Sequence, residues 1–227
     1  MTKAEEHLRL NADPGRRVVT DTRALAWEAS PSATVWRKRL HIDGPKESAK
    51  VTSIVRYDAG SAFPAHGHPD GEEIFVLDGV FSDETGDYPA GSYLLNPEGF
   101  RHAPRSQPGC TLFVKLRQYP GLDRLQVRRD TRSLPWTARG NGIHDVPLYR
   151  QDGYPDYAGL VRFDPGVRAP HHGHPQGEEV LVLDGVLEDE MGVYPAGTWI
   201  RNPIGSAHQP FSADGCTFLL KTGNLVP

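Results

Sequence analysis

The chain lies on itself when it is shifted by 106 residues. "SIVRYDAG" (53–60) meets "GLVRFDPG" (159–166), and between 66 and 97 the two copies agree at 21 of 32 positions. The repeat starts earlier, because "DTRALAW" (21–27) returns as "DTRSLPW" (130–136), there at an offset of 109. The copies therefore differ by three residues in length between this leading segment and the closely matched stretch. Solenoid repeats have units of about 20–50 residues, so a period this long reads as two tandem domains of one fold. The expected bounds are an N-terminal segment 1–20, a first domain 21–116, a linker 117–129 and a second domain 130–227. Either half is long enough to bury its own core.

Within each copy the apolar runs are short and bounded by turn residues. The first copy places candidate strands at 51–57, 73–78, 79–82, 92–96 and 111–116, with "LDG" and "PAG" as Gly-containing turns. Outside a short helix expected over 3–10, no stretch keeps a 3.6-residue period for three turns. The 24 Gly and 20 Pro suit many tight turns. An all-β sandwich or barrel is predicted. Cys110 and Cys216 occupy matching positions in "GCTLFVKL" and "GCTFLLKT" and are expected to be small buried packing residues. The net charge of −4 and the absence of a basic cluster argue against nucleic acid. No apolar run approaches the ~20 residues of a membrane span. "MTKAEEHLRLNADPGRR" lacks the apolar stretch of a secretory signal, so a cytoplasmic protein is expected.

The most polar part of the repeat carries chemistry. "PAHGHPDGEEIFVLDG" (64–79) and "PHHGHPQGEEVLVLDG" (170–185) set His66 with His68, and His172 with His174, at i and i+2, so each pair can share one strand face. Two adjacent glutamates follow in each copy, Glu72–Glu73 and Glu178–Glu179. A further histidine, His102 or His208, stands 36 residues after the first of each pair. Six of the ten histidines fall in this pattern, which is too regular for surface polarity scattered at random. Three imidazoles and a carboxylate form a mixed N/O donor set suited to Fe, Mn, Ni, Cu or Zn rather than Ca or Mg. A divalent transition metal is expected at each of two sites.

These residues resemble the cupin superfamily. "GSAFPAHGHPDGEEIFVLDG" fits the first cupin motif, G(X)5HXH(X)3E(X)6G, and "GSYLLNPEGFRH" fits the second, G(X)5PXG(X)2H. The second copy matches equally, through Gly166, His172, His174, Glu178, Gly185, Gly197, Pro203, Gly205 and His208. The motif spacing selects Glu72 and Glu178 over their neighbours, so the ligand sets implied are His66, His68, Glu72, His102 and His172, His174, Glu178, His208. Glu73 and Glu179 should turn the other way, to solvent or to a supporting hydrogen bond. The family's usual Asn beyond the last His is replaced by Ser106 and Ser212. The wording of both copies is most similar to the ChrR-like branch.

The resemblance implies two tandem jelly-roll (double-stranded β-helix) barrels, each with a metal that keeps two coordination positions open. It suggests an Fe(II)-dependent dioxygenase cleaving a small diketone or hydroxyketone. The alternatives are a ChrR-like zinc-binding sensory or regulatory cupin without catalysis, and a non-oxidative isomerase or lyase. The chain lacks a Cys/His cluster like that of ChrR's sigma-gripping domain. A small-molecule substrate is the expected partner, and a homodimer is plausible by resemblance. The copies differ beside the last ligand, where "RHAPRS" becomes "AHQPFS". Arg105, replaced by Phe211, is the candidate catalytic residue, since its fork could hold an anionic substrate group. His171 is expected to face outward, and Tyr88 and Tyr194 to pack the turns.

Overall fold

The computed structural model describes residues 6–223 and 225. Those residues contain strands and turns but no helix, so the all-β expectation holds. They form two units. In the first, one sheet runs in the order His7–Leu10, Val35–Pro45, Lys50–Tyr57, Cys110–Leu116, Glu72–Asp83, Ser92–Asn96, Val127–Asp130. In the second the order is Thr137–Gly140, Ile143–Arg150, Tyr157–Phe163, Cys216–Thr222, Glu178–Asp189, Thr198–Asn202, Val18–Asp21. Every pairing is antiparallel. Shorter strands, including Ser61–Ala62 with Arg105–Ser106 and Val167–Arg168 with Phe211–Ser212, make a second layer. The core of the first unit is built from Val35, Ile74, Val76, Phe81, Leu94 and Leu112, and that of the second from Phe163, Val180, Val182, Ile200 and Phe218. Both cysteines are free and buried within these cores, as expected, and burial pushes the Cys110 thiol up to about 11.

The expected bounds are redrawn by strand pairing. Residues 13–25 belong to the second unit, and residues 117–133 belong to the first. Val18–Asp21 pairs with Thr198–Asn202, and its repeat Val127–Asp130 pairs with Ser92–Asn96. Each copy of "DTR" thus completes the barrel of the other half rather than leading its own. The anchoring is the same twice: the Thr22 hydroxyl donates to the Gly197 carbonyl at 2.7 Å, and the Thr131 hydroxyl to the Gly91 carbonyl at 2.6 Å. The stretch expected as a linker is partly strand, because the outer edge of Ser92–Asn96 offers unpaired backbone groups that a sheet must satisfy. The short helix expected at 3–10 is corrected as well. His7–Leu10 is a strand on the edge of Val35–Pro45, and the start of the expected helix lies outside the described residues.

The runs 73–78 and 79–82 form one strand, Glu72–Asp83, not two strands about a turn. Opposite it, Thr111 pairs with Asp78 but Leu112 pairs with Val76, so Leu77 is an extra, bulged residue. Such a bulge bends the strand and raises its twist. Its first half then pairs with Ser92–Asn96, and its second half with Gly86–Pro89. Gly79 makes the bend possible at φ +71°; a Cβ there would stand 2.1 Å from the Gly109 carbonyl oxygen. Gly185 repeats this against Gly215, also at 2.1 Å. Gly185→Ala should therefore destabilise the protein by about 3 kcal/mol, from positive-φ strain plus a backbone clash. Urea unfolding followed by tryptophan fluorescence measures this, and an unchanged midpoint would show that the bend tolerates a side chain.

Candidate metal centre

A short antiparallel ribbon builds each site. His66–Gly67 pairs with Arg101–His102, placing His66 directly opposite His102. His172–His174 pairs with Ser206–His208, placing His172 opposite His208. Directly opposed residues in such a ribbon bring their Cβ atoms to about 5 Å. The i, i+2 alternation then adds His68 or His174 to the same face. The glutamate opens the long bent strand beside the ribbon. All four donor groups of His172, His174, Glu178 and His208 lie within 4.8 Å of one another, as do those of His66, His68 and His102. Glu72 joins the first set, with Oε2 3.5 Å from His102 Nε2 and 3.7 Å from His68 Nε2. His68 Nε2 and His102 Nε2 are 2.9 Å apart.

The supporting hydrogen bonds set the protonation of the rings. His66 Nδ1 lies 3.0 Å from the Pro64 carbonyl and His172 Nδ1 2.9 Å from the Pro170 carbonyl. A carbonyl only accepts, so Nδ1 carries the proton and Nε2 keeps its lone pair. His102 Nδ1 faces Asp83 at 3.3 Å, and His208 Nδ1 faces Asp189 at 3.1 Å. Burial raises the Asp83 pKa, but hydrogen bonds from His102 and Thr85 outweigh it and hold the carboxyl down at about 2. At Asp189 the same opposition, with His208, Tyr194 and the Met191 amide as donors, also leaves about 2. Both are carboxylates at neutral pH and direct the free nitrogen of their histidine into the cluster. Burial lowers the His68 pKa, with Glu72 opposing and His102 and His66 reinforcing. Burial and the neighbouring His208 and His172 take His174 down to about 4. Neutral imidazole is the form that ligates metal.

A metal fits these residues. His174 Nε2 and His208 Nε2 are buried without a hydrogen-bond partner, which is costly unless something accepts their lone pairs. Metal–nitrogen bonds of about 2.1 Å put neighbouring donors about 3 Å apart, close to the 2.9 Å between His68 and His102. Burial pushes the Glu178 carboxyl up, and a central cation would reverse that by favouring the charged form. Glu73 and Glu179 do turn away from the cluster, as the alternation required, but not into solvent. Glu73 is 1% exposed and accepts from Tyr93 at 2.7 Å and Tyr119 at 2.6 Å. Glu179 is buried in register with Arg201 and Lys221.

Arg105 does not join the site. It is exposed on Arg105–Ser106 and is not among the residues lining the cavity beside His66, His68 and Glu72. Alternation turns Ser106 inward instead, where its hydroxyl donates to the Val80 carbonyl at 2.6 Å. Ser212 does the same to Val186. These serines, standing where the motif usually has Asn, pin the bent strand. His171 is exposed, as expected.

The motifs did not reveal the groups that join the ligands to each other. Asn96 donates to Glu72 and Asn202 to Glu178, each at 2.9 Å. In the second unit Arg17 donates to Asn202 Oδ1 at 2.8 Å, to Asp189 at 2.8 Å and to the Tyr194 hydroxyl at 2.9 Å. A continuous chain therefore runs from His208 through Asp189, Arg17 and Asn202 to Glu178. In the first unit Arg128 fills this place, donating to Asn96 Oδ1 at 2.6 Å and Tyr88 at 3.1 Å, with Asp83 3.9 Å away. Tyr88 and Tyr194 are thus members of the network as well as turn packing. The Asp and Asn positions recur at the 106-residue offset, a signal that was present in the sequence. The arginines left none, because Arg128 is the repeat counterpart of Val19, not of Arg17.

An antiparallel barrel with three histidines and one glutamate gathered at its opening, twice in one chain, defines a bicupin. The ChrR Cupin-like domain description matches residues 15–120 and again 125–226, and the chain belongs to this family. No curated protein matches the sequence. Solved structures share the fold. A candidate dioxygenase from Nostoc punctiforme is 18% identical with a TM-score of 0.76, covering 91% of this chain and 82% of that one. The bacterial pirin YhhW from Escherichia coli, in complex with nickel(II), is 14% identical with a TM-score of 0.68, covering 91% and 98%. An oxalate decarboxylase–formate complex from Lactobacillus farciminis is 13% identical with a TM-score of 0.66, covering 92% and 86%.

Outer partners of metal ligands are typically worth about 10–100-fold in affinity. Arg17→Leu should weaken metal at the second site by a factor in this range and leave the first unchanged. Competition with a chromophoric chelator would show one weakened and one intact site per chain. Two equally weakened sites, or none, would remove Arg17 from this role.

Proposed function

We propose that the chain is a metal-dependent enzyme, an Fe(II) dioxygenase that cleaves a carbon–carbon bond in a small oxygenated molecule such as a diketone or hydroxyketone. The observation that carries this reading is the first barrel's cavity of about 470 Å³, which reaches His66, His68 and Glu72 past apolar walls that include Ile74, Leu112 and Val114. A drug-sized ligand pocket is typically about 300–1,000 Å³. When bound, Fe(II) supplies Lewis acidity and O2 reactivity at this cluster. The walls hold the organic substrate against the ligands and exclude water. Tyr57 lines the same space, and burial followed by the Glu72 charge raises its pKa, so its phenol stays a proton-bearing donor to a substrate oxygen. Cleavage that places both oxygen atoms in the two carbonyl products needs no external reductant. The candidate dioxygenase among the structural neighbours supports the direction of this reading.

The second barrel favours a different role. Its cavity of about 310 Å³ is lined by Ile143, Val161, Phe163, Leu187, Phe218 and other apolar residues, and among the described residues its only titratable groups are His172, Glu178 and His208. A metal there, zinc included, would serve stability or ligand sensing better than proton transfer. We read the protein as cytoplasmic, with a small-molecule substrate and a homodimeric assembly.

Anaerobic loading with Fe(II), followed by O2 electrode measurements against a diketone and hydroxyketone panel, tests the proposal. O2 uptake should exceed that of free iron with at least one substrate and fall at least about 100-fold in His66→Ala, with a much smaller loss in His172→Ala. Each variant should lose about half the bound metal by elemental analysis. Uptake at the free-iron level across the panel would favour the sensory or non-oxidative reading.

A further inference from the structure

The two cavities diverge at matched positions in a way that selects charge. Arg37 lies opposite Val55, and Asp145 lies opposite Val161, the repeat counterpart of Val55. Arg39 lies opposite Ser53, where the second unit sets Pro147 opposite Gly159. Tyr57 is matched by Phe163. The first cavity therefore presents Arg37, Arg39, Lys46, Ser53 and Tyr57, whereas of the matched residues Asp145, Pro147, Gly159 and Phe163 only Phe163 lines the second, which is mostly apolar.

The cations of the first cavity are not equivalent. Arg39 pairs with Glu28, and Lys46 with Glu6 at 3.2 Å. Among the described residues Arg37 pairs with no carboxylate, and it is half-buried. Burial and the neighbouring Arg39 charge lower its pKa, and Tyr57 opposes them in part, so the cation has no fixed carboxylate to compensate it. Among the described residues the only acidic side chain lining the cavity is Glu72, which belongs to the candidate metal cluster. Ser53, 2% exposed and on the same lining, has a hydroxyl oxygen with no hydrogen-bond partner. An uncompensated guanidinium and an unpartnered buried hydroxyl share one apolar chamber. Both would be satisfied by a carboxylate, whose two oxygens match the Arg fork.

We infer that the first barrel selects a small monocarboxylate with an apolar body and a keto or hydroxy group, holding the carboxylate with Arg37 and Ser53 while the oxygenated carbons face His66, His68 and Glu72. This deepens the reading of the first site as the substrate site and rests on it. Arg39 adds positive potential beside the fork. The second barrel has neither group and should not take the acid.

Calorimetry on the full chain loaded with redox-inert zinc tests the inference, with 5-oxohexanoate and 7-oxooctanoate as probes and their neutral amides as controls. The acids should bind at one site per chain, about tenfold or more tighter than the amides. Arg37→Gln should bring acid affinity down to that of the amide without changing the amide, Arg37→Lys should keep part of the preference, and His172→Ala should leave acid binding intact. Thermal melting and zinc content report whether each variant is folded and loaded. Equal affinity for acid and amide would overturn the inference. So would two acids per chain with no dependence on Arg37, which would assign the carboxylate to the metals. Low metal content would count against the enzymatic reading alone, since Arg37-dependent acid binding should then persist in the metal-free protein.

Discussion

A buried imidazole can give a lone pair to a metal only when its other nitrogen has somewhere to put its proton. That constraint organises both barrels. Pro64 and Pro170 supply a carbonyl for the exposed His66 and His172, and Asp83 and Asp189 supply a carboxylate for the buried His102 and His208. Each aspartate ends the same bent strand whose first residue is the glutamate of the cluster. The bulge at Leu77 and the positive φ of Gly79 let one strand serve two sheet layers and so reach the cluster from two sides. Because of the bend, one strand carries both the glutamate of the cluster and the aspartate that orients His102 or His208.

The same geometry explains how two nearly identical clusters can adjoin differently lined cavities. The ligands and their partners sit on the ribbon and the long strand, where the repeat is most nearly identical. The strands Val35–Pro45 and Lys50–Tyr57 supply Arg37, Arg39, Ser53 and Tyr57 to the first cavity, whereas Ile143–Arg150 gives the second only Ile143. The cavity lining can thus differ between the copies without disturbing the donor set. An arginine, a serine and a tyrosine on one side correspond to an aspartate, a glycine and a phenylalanine on the other. The outer network tolerates substitution in a similar way, because Arg17 and Arg128 reach equivalent acceptors from non-equivalent positions.

Much of this was legible in one dimension. The 106-residue repeat, the i, i+2 histidines and the short turn-bounded runs required two all-β barrels, and the motif spacing chose Glu72 and Glu178 over their neighbours. Glu73 shows where local reasoning stopped. The alternation that turned it from the cluster was correct, but its burial against Tyr93 and Tyr119 depends on residues 20 and 46 positions away. Arg105 failed for a related reason: closeness in sequence to His102 says nothing about which side of a two-residue strand faces the cavity.

By itself, then, the sequence determined which histidines and glutamates are candidate ligands, the duplication and the strand class, because these follow from short periods and spacings that any extended chain must obey. Tertiary structure decided which barrel each "DTR" strand completes, which arginine ties the ligands together, and which cations line the first cavity. Those depend on pairings between segments tens to nearly two hundred residues apart, where sheet-edge hydrogen bonds and burial, rather than local residue pattern, select the neighbour.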